Sequence, residues 1–471
     1  MKRIGVILLA AALTAAGTAG AKQTSAAKPS DATATSAALA RQADAFFKDN
    51  QPGGVVLVTR GDAVLLRKAY GMADIENGVP MQPDAALRLA SVSKQFTAVA
   101  VLQLVQAGKL RLDATLVSLD PALNGPLAKV TVQQLLAQTS GIKNISSIPA
   151  SRAARREDTD APGLMNYFKA LPLEFDPGTR FRYSNSNYIV LTHLIERVSG
   201  QPYASYMQQS VFQPLGMQHT RYDNHLTMIA KRAHGYRRSK GELQNADFIS
   251  MSQPQGAGGL ISTVDDLAIW HRALRDGRPV AAPLLAQAMR KSTLADGTSS
   301  PYGFGWIIGQ VHGLDDVEHG GFINGFNSYV VRLKQPDVFV TVLTNAEFLD
   351  PTNLSVRLAA IAADKAYAPA IALRAEDTAW LGRYRFADDD VRVLAKVDGA
   401  LQLQREGEDP VAVSPHADGR YYLDDSLDAL SFARDGNGQA VMTLHDRLMG
   451  DSRGTREPAA AAAQVTGSTT P

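Results

Sequence analysis

Three short stretches of this chain carry residue types suited to acyl transfer. In "LRLASVSKQFTAVAVLQLVQAGK", Ser91 stands three residues before Lys94, and nearly every residue from Phe96 to Val105 is apolar. Residues i and i+3 share a helix face. A serine in the first turn also sits beside free backbone N–H groups and the positive helix end. A helix apolar all round is a buried helix, and this one stops where Gly108 and Lys109 supply C-terminal signals. Burial and the helix end push a lysine towards a neutral amine that can take the hydroxyl proton. Spacing alone is weak evidence, because a chain of this length holds about one Ser-x-x-Lys by chance, and "SAAK" (Ser25 to Lys28) is a second match. On spacing alone Ser91 is an N-cap and Lys94 a surface lysine; the buried helix favours the catalytic reading.

The second stretch, "FRYSNSNYIV", contains Tyr183 and Asn185. A loop tyrosine acidified by a nearby ammonium is a second proton acceptor, and the Asn amide can hold a substrate carbonyl. The third, "VEHGGFINGFNSYV", places His319, Gly320 and Gly321 just ahead of an expected strand. Glycines there let a substrate lie against the strand edge. Taken singly, the second is an ordinary turn, which "YDN" (Tyr222 to Asn224) matches as well, and the third a loop entering a strand.

The elements that must hold these residues follow from the pattern. "GGVVLVTR" and "AVLLRKAYG" read as paired strands, and "NSYVVRLK" and "VFVTVLTN" as two more far along the chain. Between them the chain reads mainly helical, including "NYIVLTHLIERVSG" and a capped start at Ser262 and Asp265. A helix is expected around Leu354 to Ala366. This order argues against a doubly wound parallel sheet and for an antiparallel sheet built from both ends of the catalytic segment. Residues 375–449 alternate in short runs and read as a small antiparallel β domain. Residues 22–37 read as a linker and 456–471 as a low-complexity tail.

Lys2 and Arg3 precede an apolar run from Ile4 to Ala16, and Ala19-Gly20-Ala21 fits a cleavage site, so residues 1–21 read as a signal peptide. The mature chain is then expected to be exported, periplasmic or secreted, with no transmembrane segment. There is no cysteine, which excludes disulfides. The formal charge of +2 comes from Lys2 and Arg3, and without them 46 basic residues face 46 acidic ones. A neutral mature chain gives no support to nucleic acid as a partner.

Taken in order, the three stretches resemble the serine β-lactamase and penicillin-binding-protein-like hydrolases, among them class C β-lactamases, D-Ala-D-Ala carboxypeptidases, D-aminopeptidases and β-lactamase-like esterases. "LAQTSGI", with Gln138 where the family has His, "PGTRFRYSNSNYIVLTHLIERVSGQPY", "VFQPLGMQHT", "GAGGLISTVDDLAIW" and "YGFGW" extend the resemblance over about residues 38–365. It implies an α/β fold of the α+β type: an antiparallel sheet flanked by helices, with a mostly helical subdomain, in a hydrolase domain spanning 38–368. It also implies roles. Ser91 is the acylated nucleophile, Lys94 helps remove its proton, and Tyr183 is the general base that relays the proton to the leaving group. Asn185 contacts the acyl side, His319 stands where many members have lysine, and the backbone N–H groups of Ser91 and Phe322 form the oxyanion hole. No cofactor or metal is implied.

The rival motif "GDSRG" (Gly450 to Gly454) lacks a downstream histidine, since the last one is His445. No His-Glu-x-x-His or cysteine cluster suggests a metal hydrolase. The expected substrate is a small ester, amide or peptide, with peptidoglycan fragments among the candidates. Where the family has a hydroxyl residue this chain has Gly320, and Phe322 replaces a small residue. Both changes weaken a carboxylate site beside the strand, favouring an esterase or D-amino-acid amidase. The alternatives are a D-Ala-D-Ala carboxypeptidase, a class C-like β-lactamase, and an inactive cell-wall-binding protein.

Overall fold

The computed structural model describes residues 29–458. The expected signal peptide and all but the first residues of the expected tail lie outside the described residues. Helix α1 (Pro29–Phe46) begins inside the stretch read as a linker. Its Leu39 and Ala43, with Phe47 just beyond, form a buried stripe one helical turn apart, so packing overrides a polar, small-residue composition.

Strands β1 (Gly54–Arg60) and β2 (Ala63–Tyr70) follow, and then α2 (Ser93–Gln106), the helix entered from Ser91. The helical middle contains α3 (Asn185–Ser199) and α4 (Val264–Arg275). The chain returns to the sheet with β3 (Ile307–Val311), β4 (Leu314–Ile323), β5 (Phe326–Leu333) and β6 (Val338–Thr344), and α5 (Thr352–Ala362) closes the unit. The six strands run in the order β3-β4-β5-β6-β1-β2, every pair antiparallel, so both ends of the segment build one sheet. Both faces are covered. Along β1, Val55 and Leu57 join the core shared with α2 and the helical subdomain, while Val56 and Val58 join the core under α1 and α5.

One strand departs from expectation. His319, Gly320 and Gly321, expected just ahead of a strand, lie within β4 itself. Its acids and glycines are poor strand formers; tertiary contacts hold it. β3 pairs with β4 only as far as Glu318, opposite Ile307. From His319 to Ile323, β4 has a strand partner on the β5 side alone, which leaves an open edge.

The C-terminal module is a closed eight-stranded barrel from Gly382–Ala387 to Gly450–Arg456, with the first strand paired to the last. It starts and ends later than the sequence suggested, and "GDSRG" is part of its last strand. The barrel has its own core around Tyr384, Leu394, Leu430 and Met442. It docks on the hydrolase unit through Leu427, which packs into the α1–α5 core, and through Arg447.

Candidate active site

Ser91 sits in a short 3-10 turn (Ala90–Val92) that runs into α2. Ala90 just before it is buried and left-handed, with φ +46. A non-glycine residue there costs energy that the surrounding packing must offset. The fully buried Lys94 lies one turn on, its Nζ 3.0 Å from Ser91 Oγ. The same Nζ donates to Asn185 Oδ1 at 2.9 Å and to the Ala257 carbonyl at 2.7 Å. Burial pushes the Lys94 amine well below its ordinary value. In its neutral form the amine donates to the two carbonyl acceptors and turns its lone pair to the Ser91 hydroxyl. An ammonium would instead donate to all three.

Tyr183 lies at the end of the loop before α3, and Asn185 is the first residue of that helix. The Tyr183 ring lies 4.8 Å from Lys94 Nζ. Its buried hydroxyl makes no hydrogen bond of ordinary geometry, although nearby Ser91 favours its ionised form. Burial dominates and drives the phenol pKa up. The expected acidification by an ammonium does not overcome that burial. Asn185 Nδ2 donates to Ser146 Oγ at 3.1 Å, which turns Oδ1 towards the lysine.

His319 is buried on the same side. Its Nε2 accepts from the Tyr302 hydroxyl at 2.9 Å, and Nδ1–H donates to the Gly320 carbonyl at 2.6 Å, which assigns the neutral Nδ1–H tautomer. Burial first and Lys94 second lower its pKa to about 3, against a weaker opposing bond to Gly320. His319 is not a cation standing in for lysine. Gly320 lies on the opposite face of β4, where an added Cβ would meet the Tyr329 ring at 3.0 Å. Gly321 faces Ser91: a Cβ there would lie 2.9 Å from Ser91 N and 2.3 Å from the Leu89 carbonyl. That close approach brings the open edge of β4 against the turn bearing Ser91. Phe322, 63% exposed, follows on the rim.

A cleft of about 290 Å³ opens over Ser91, with Asn185, Ser146 and Arg155 on the helical side and Phe322, Ile323 and Asn324 on the strand side. The structure thus brings Ser91, Lys94, Tyr183, Asn185, His319, Gly321 and Phe322 together and sets Gly320 behind the strand. Sequence reasoning missed Tyr302, although "YGFGW" had marked its stretch, and it missed Ser146, Arg155 and the Ala257 carbonyl. Asp74, Glu76 and His234 bring ligand atoms within 4.8 Å of one another. None of them lines the cleft, and Tyr236 and Asn77 already engage the two acids.

Comparison with known proteins agrees with this architecture. The Beta-lactamase family profile matches residues 36–364. Over 310 residues the chain is 28% identical to protein flp of Staphylococcus aureus (strain MW2), covering 63% of this chain and 60% of that protein. Over 300 residues it is 27% identical to a D-aminopeptidase of Gluconobacter oxydans (strain 621H), covering 62% and 56%. The chain therefore spans about three fifths of the length of these curated relatives. Among solved structures, a D-stereospecific amidohydrolase from Streptomyces sp. superposes with a TM-score of 0.61 at 24% identity, covering 69% of this chain and 98% of that one. An octameric penicillin-binding protein homologue from Pyrococcus abyssi gives 0.61 at 21% identity, covering 90% and 99%. These structural likenesses show the fold.

Proposed function

The chain belongs to the Beta-lactamase family, and on that premise we propose that it is a serine hydrolase working through an acyl-enzyme on Ser91, with esters and small amides as substrates. The observation that carries this reading is the fully buried Lys94 amine 3.0 Å from Ser91 Oγ, where burial favours its neutral form. Ser91 Oγ attacks the carbonyl carbon while its proton passes to Lys94 Nζ. The carbonyl oxygen takes the negative charge against the backbone N–H groups of Ser91 and Phe322; removing one such donor typically costs about 10²–10³ in rate. The C–O or C–N bond then breaks as the leaving group takes a proton from the Tyr183 hydroxyl, which the Lys94 ammonium replaces. Water releases the acyl group by the same steps in reverse. In this scheme Lys94 is the base of acylation and Tyr183 the acid, because burial holds the phenol protonated.

The ester and small-amide preference rests on the strand side of the cleft. A β-lactam or D-Ala-D-Ala carboxylate belongs beside the strand on the leaving-group side. There His319 is neutral, and residue 320 has neither a hydroxyl nor room for one against Tyr329. Likeness to a D-aminopeptidase supports D-amino-acid amides as a second substrate class. Residues 1–21, read as an export signal, support action in the periplasm or outside the cell, where peptidoglycan fragments are within reach.

The test is covalent. A fluorophosphonate should add one mass increment to the wild type and none to Ser91→Ala. Lys94→Met should slow acylation by about 10²–10⁴-fold, the usual worth of a proton-transfer group, while remaining folded. Labelling of Ser91→Ala, or less than threefold slowing in Lys94→Met, overturns the reading.

A further inference from the structure

The cleft is one-sided in charge. Among the described residues no Asp or Glu lines it, and Arg155 is the one lining residue that carries a formal charge. Other polar groups of the wall are already engaged. Ser146 Oγ accepts from Asn185, Ser151 Oγ donates to the Ile145 carbonyl, and Gln253 Nε2 donates to the carbonyls of Ala154 and Glu157. The Arg155 backbone is fixed, its carbonyl accepting from Ser250 N at 2.9 Å. The neighbouring Arg156 guanidinium rests over the Phe248 ring at 5.8 Å. The Arg155 guanidinium, on a half-buried residue, makes no hydrogen bond or ion pair with any described residue. A cation without a counter-ion in a cleft without acids is complementary to a ligand anion, and guanidinium geometry matches a carboxylate in particular.

Arg155 shares its wall with Ser146 and Asn185, the side assigned above to the acyl part of the substrate. We propose that Arg155 is a specificity determinant that binds a carboxylate carried by the acyl group, so that the preferred substrates are esters or amides of acids bearing a second, free carboxylate. This inference rests on the serine hydrolase reading. It is distinct from the leaving-group carboxylate of β-lactams and D-Ala-D-Ala peptides, which belongs on the strand side.

The experiment compares kcat/KM for mono-4-nitrophenyl glutarate with that for its neutral methyl ester, in the wild type, Arg155→Ala and Arg155→Lys. A second pair moves the charge to the leaving group: the butyrate ester of 4-hydroxybenzoate against phenyl butyrate. The wild type should favour the glutarate over its methyl ester. That ratio should fall about 10- to 100-fold in Arg155→Ala, the range of a charge-assisted hydrogen bond, and partly recover in Arg155→Lys. A ratio unmoved by Arg155→Ala overturns the inference, as does an Arg155-dependent preference confined to the charged leaving group. Neutral-ester turnover and fluorophosphonate labelling report separately on the hydrolase reading: if both depend on Ser91 and the ratio is flat, only Arg155 has failed. No Ser91-dependent turnover of any ester overturns both.

Discussion

Replacing Arg447 with methionine should destabilise the hydrolase unit although residue 447 belongs to the barrel. Arg447 Nη2 lies 2.8 Å from Glu318 Oε2 and 3.3 Å from Asp316 Oδ2, and its Nε donates to the Gln310 carbonyl at 2.9 Å. The three charged side chains are 10%, 1% and 0% exposed. Burial, and then the charge of Glu318, pushes the Asp316 carboxyl well above the usual range, and Arg447 pulls it back. Methionine keeps most of the volume and removes the counter-charge, leaving two acids on one face of β4 out of water. Breaking a buried pair from one side costs about 3–5 kcal/mol, and protonation of Asp316 refunds part of that. The assay is urea unfolding of the full chain followed by hydrolase-unit fluorescence. The sign in pH follows from Asp316. A carboxyl whose folded pKa is raised contributes stability below its unfolded value near 4, and that contribution is lost as pH rises through the folded value. The deficit of the variant should therefore be larger at pH 8 than at pH 5. Adding Asp316→Asn and Glu318→Gln should remove most of it. A deficit under about 1 kcal/mol at pH 8, or one that survives both amide substitutions, would refute the reasoning. Deleting the whole barrel is a different perturbation, because it returns both carboxylates to water and also strips Leu427 from the α1–α5 core.

Two further outcomes are expected at β4. Gly321→Ala would set a Cβ 2.3 Å from the Leu89 carbonyl and 2.9 Å from Ser91 N, so it should lower kcat by about 10², the cost of displacing a reacting group by roughly an ångström. Gly320→Ala meets the Tyr329 ring at 3.0 Å and no part of the Ser91 turn, and should lose far less; equal losses in steady-state ester assays would show that the close approach to Ser91 is unimportant. The His319 imidazole, held to about 3 mainly by burial, should show no titration by NMR between pH 5 and 8. Because its folded pKa is depressed, the unfolded chain binds more protons below about pH 6.5, and His319 costs stability as pH falls through that window. A titration midpoint near 6.5 would mean the ring is open to water.

The parts of this site that were legible in the sequence are local ones. Ser91 and Lys94 are three residues apart, and the apolar run behind them revealed burial. β1, β5 and β6 showed themselves through largely apolar runs, because helices cover both faces of the sheet there. β4 did not, since its acids need Arg447, which is 129 residues from Glu318. The partners that complete the lysine were hidden for the same reason: Asn185 lies 91 positions from it and Ala257 lies 163. The Tyr183 phenol was assigned an acidifying ammonium because motif order carries no information about desolvation. Only the packed structure shows that amine and phenol are buried together and that burial pushes each towards its neutral form.

Gln138 shows how a departure from the family pattern can be noticed in sequence while its purpose stays hidden. It is fully buried and left-handed, with φ +60. Its carbonyl accepts from Arg182 N at 3.0 Å, and its Oε1 accepts from Ser184 N at 3.0 Å and Asn187 Nδ2 at 2.5 Å. One residue therefore grips the chain on both sides of Tyr183. These acceptors hold the short connection that carries the phenol and delivers Asn185 to the first turn of α3. An uncharged amide oxygen can serve both donors at any pH, whereas a histidine at the same place would have one ring nitrogen able to accept only while neutral. The positions of Tyr183 and of the lysine's partner Asn185 thus rest on an acceptor that does not titrate. In the proposed mechanism the acid limb of the rate profile is then left to Lys94 itself, whose protonation would remove the lone pair offered to Ser91.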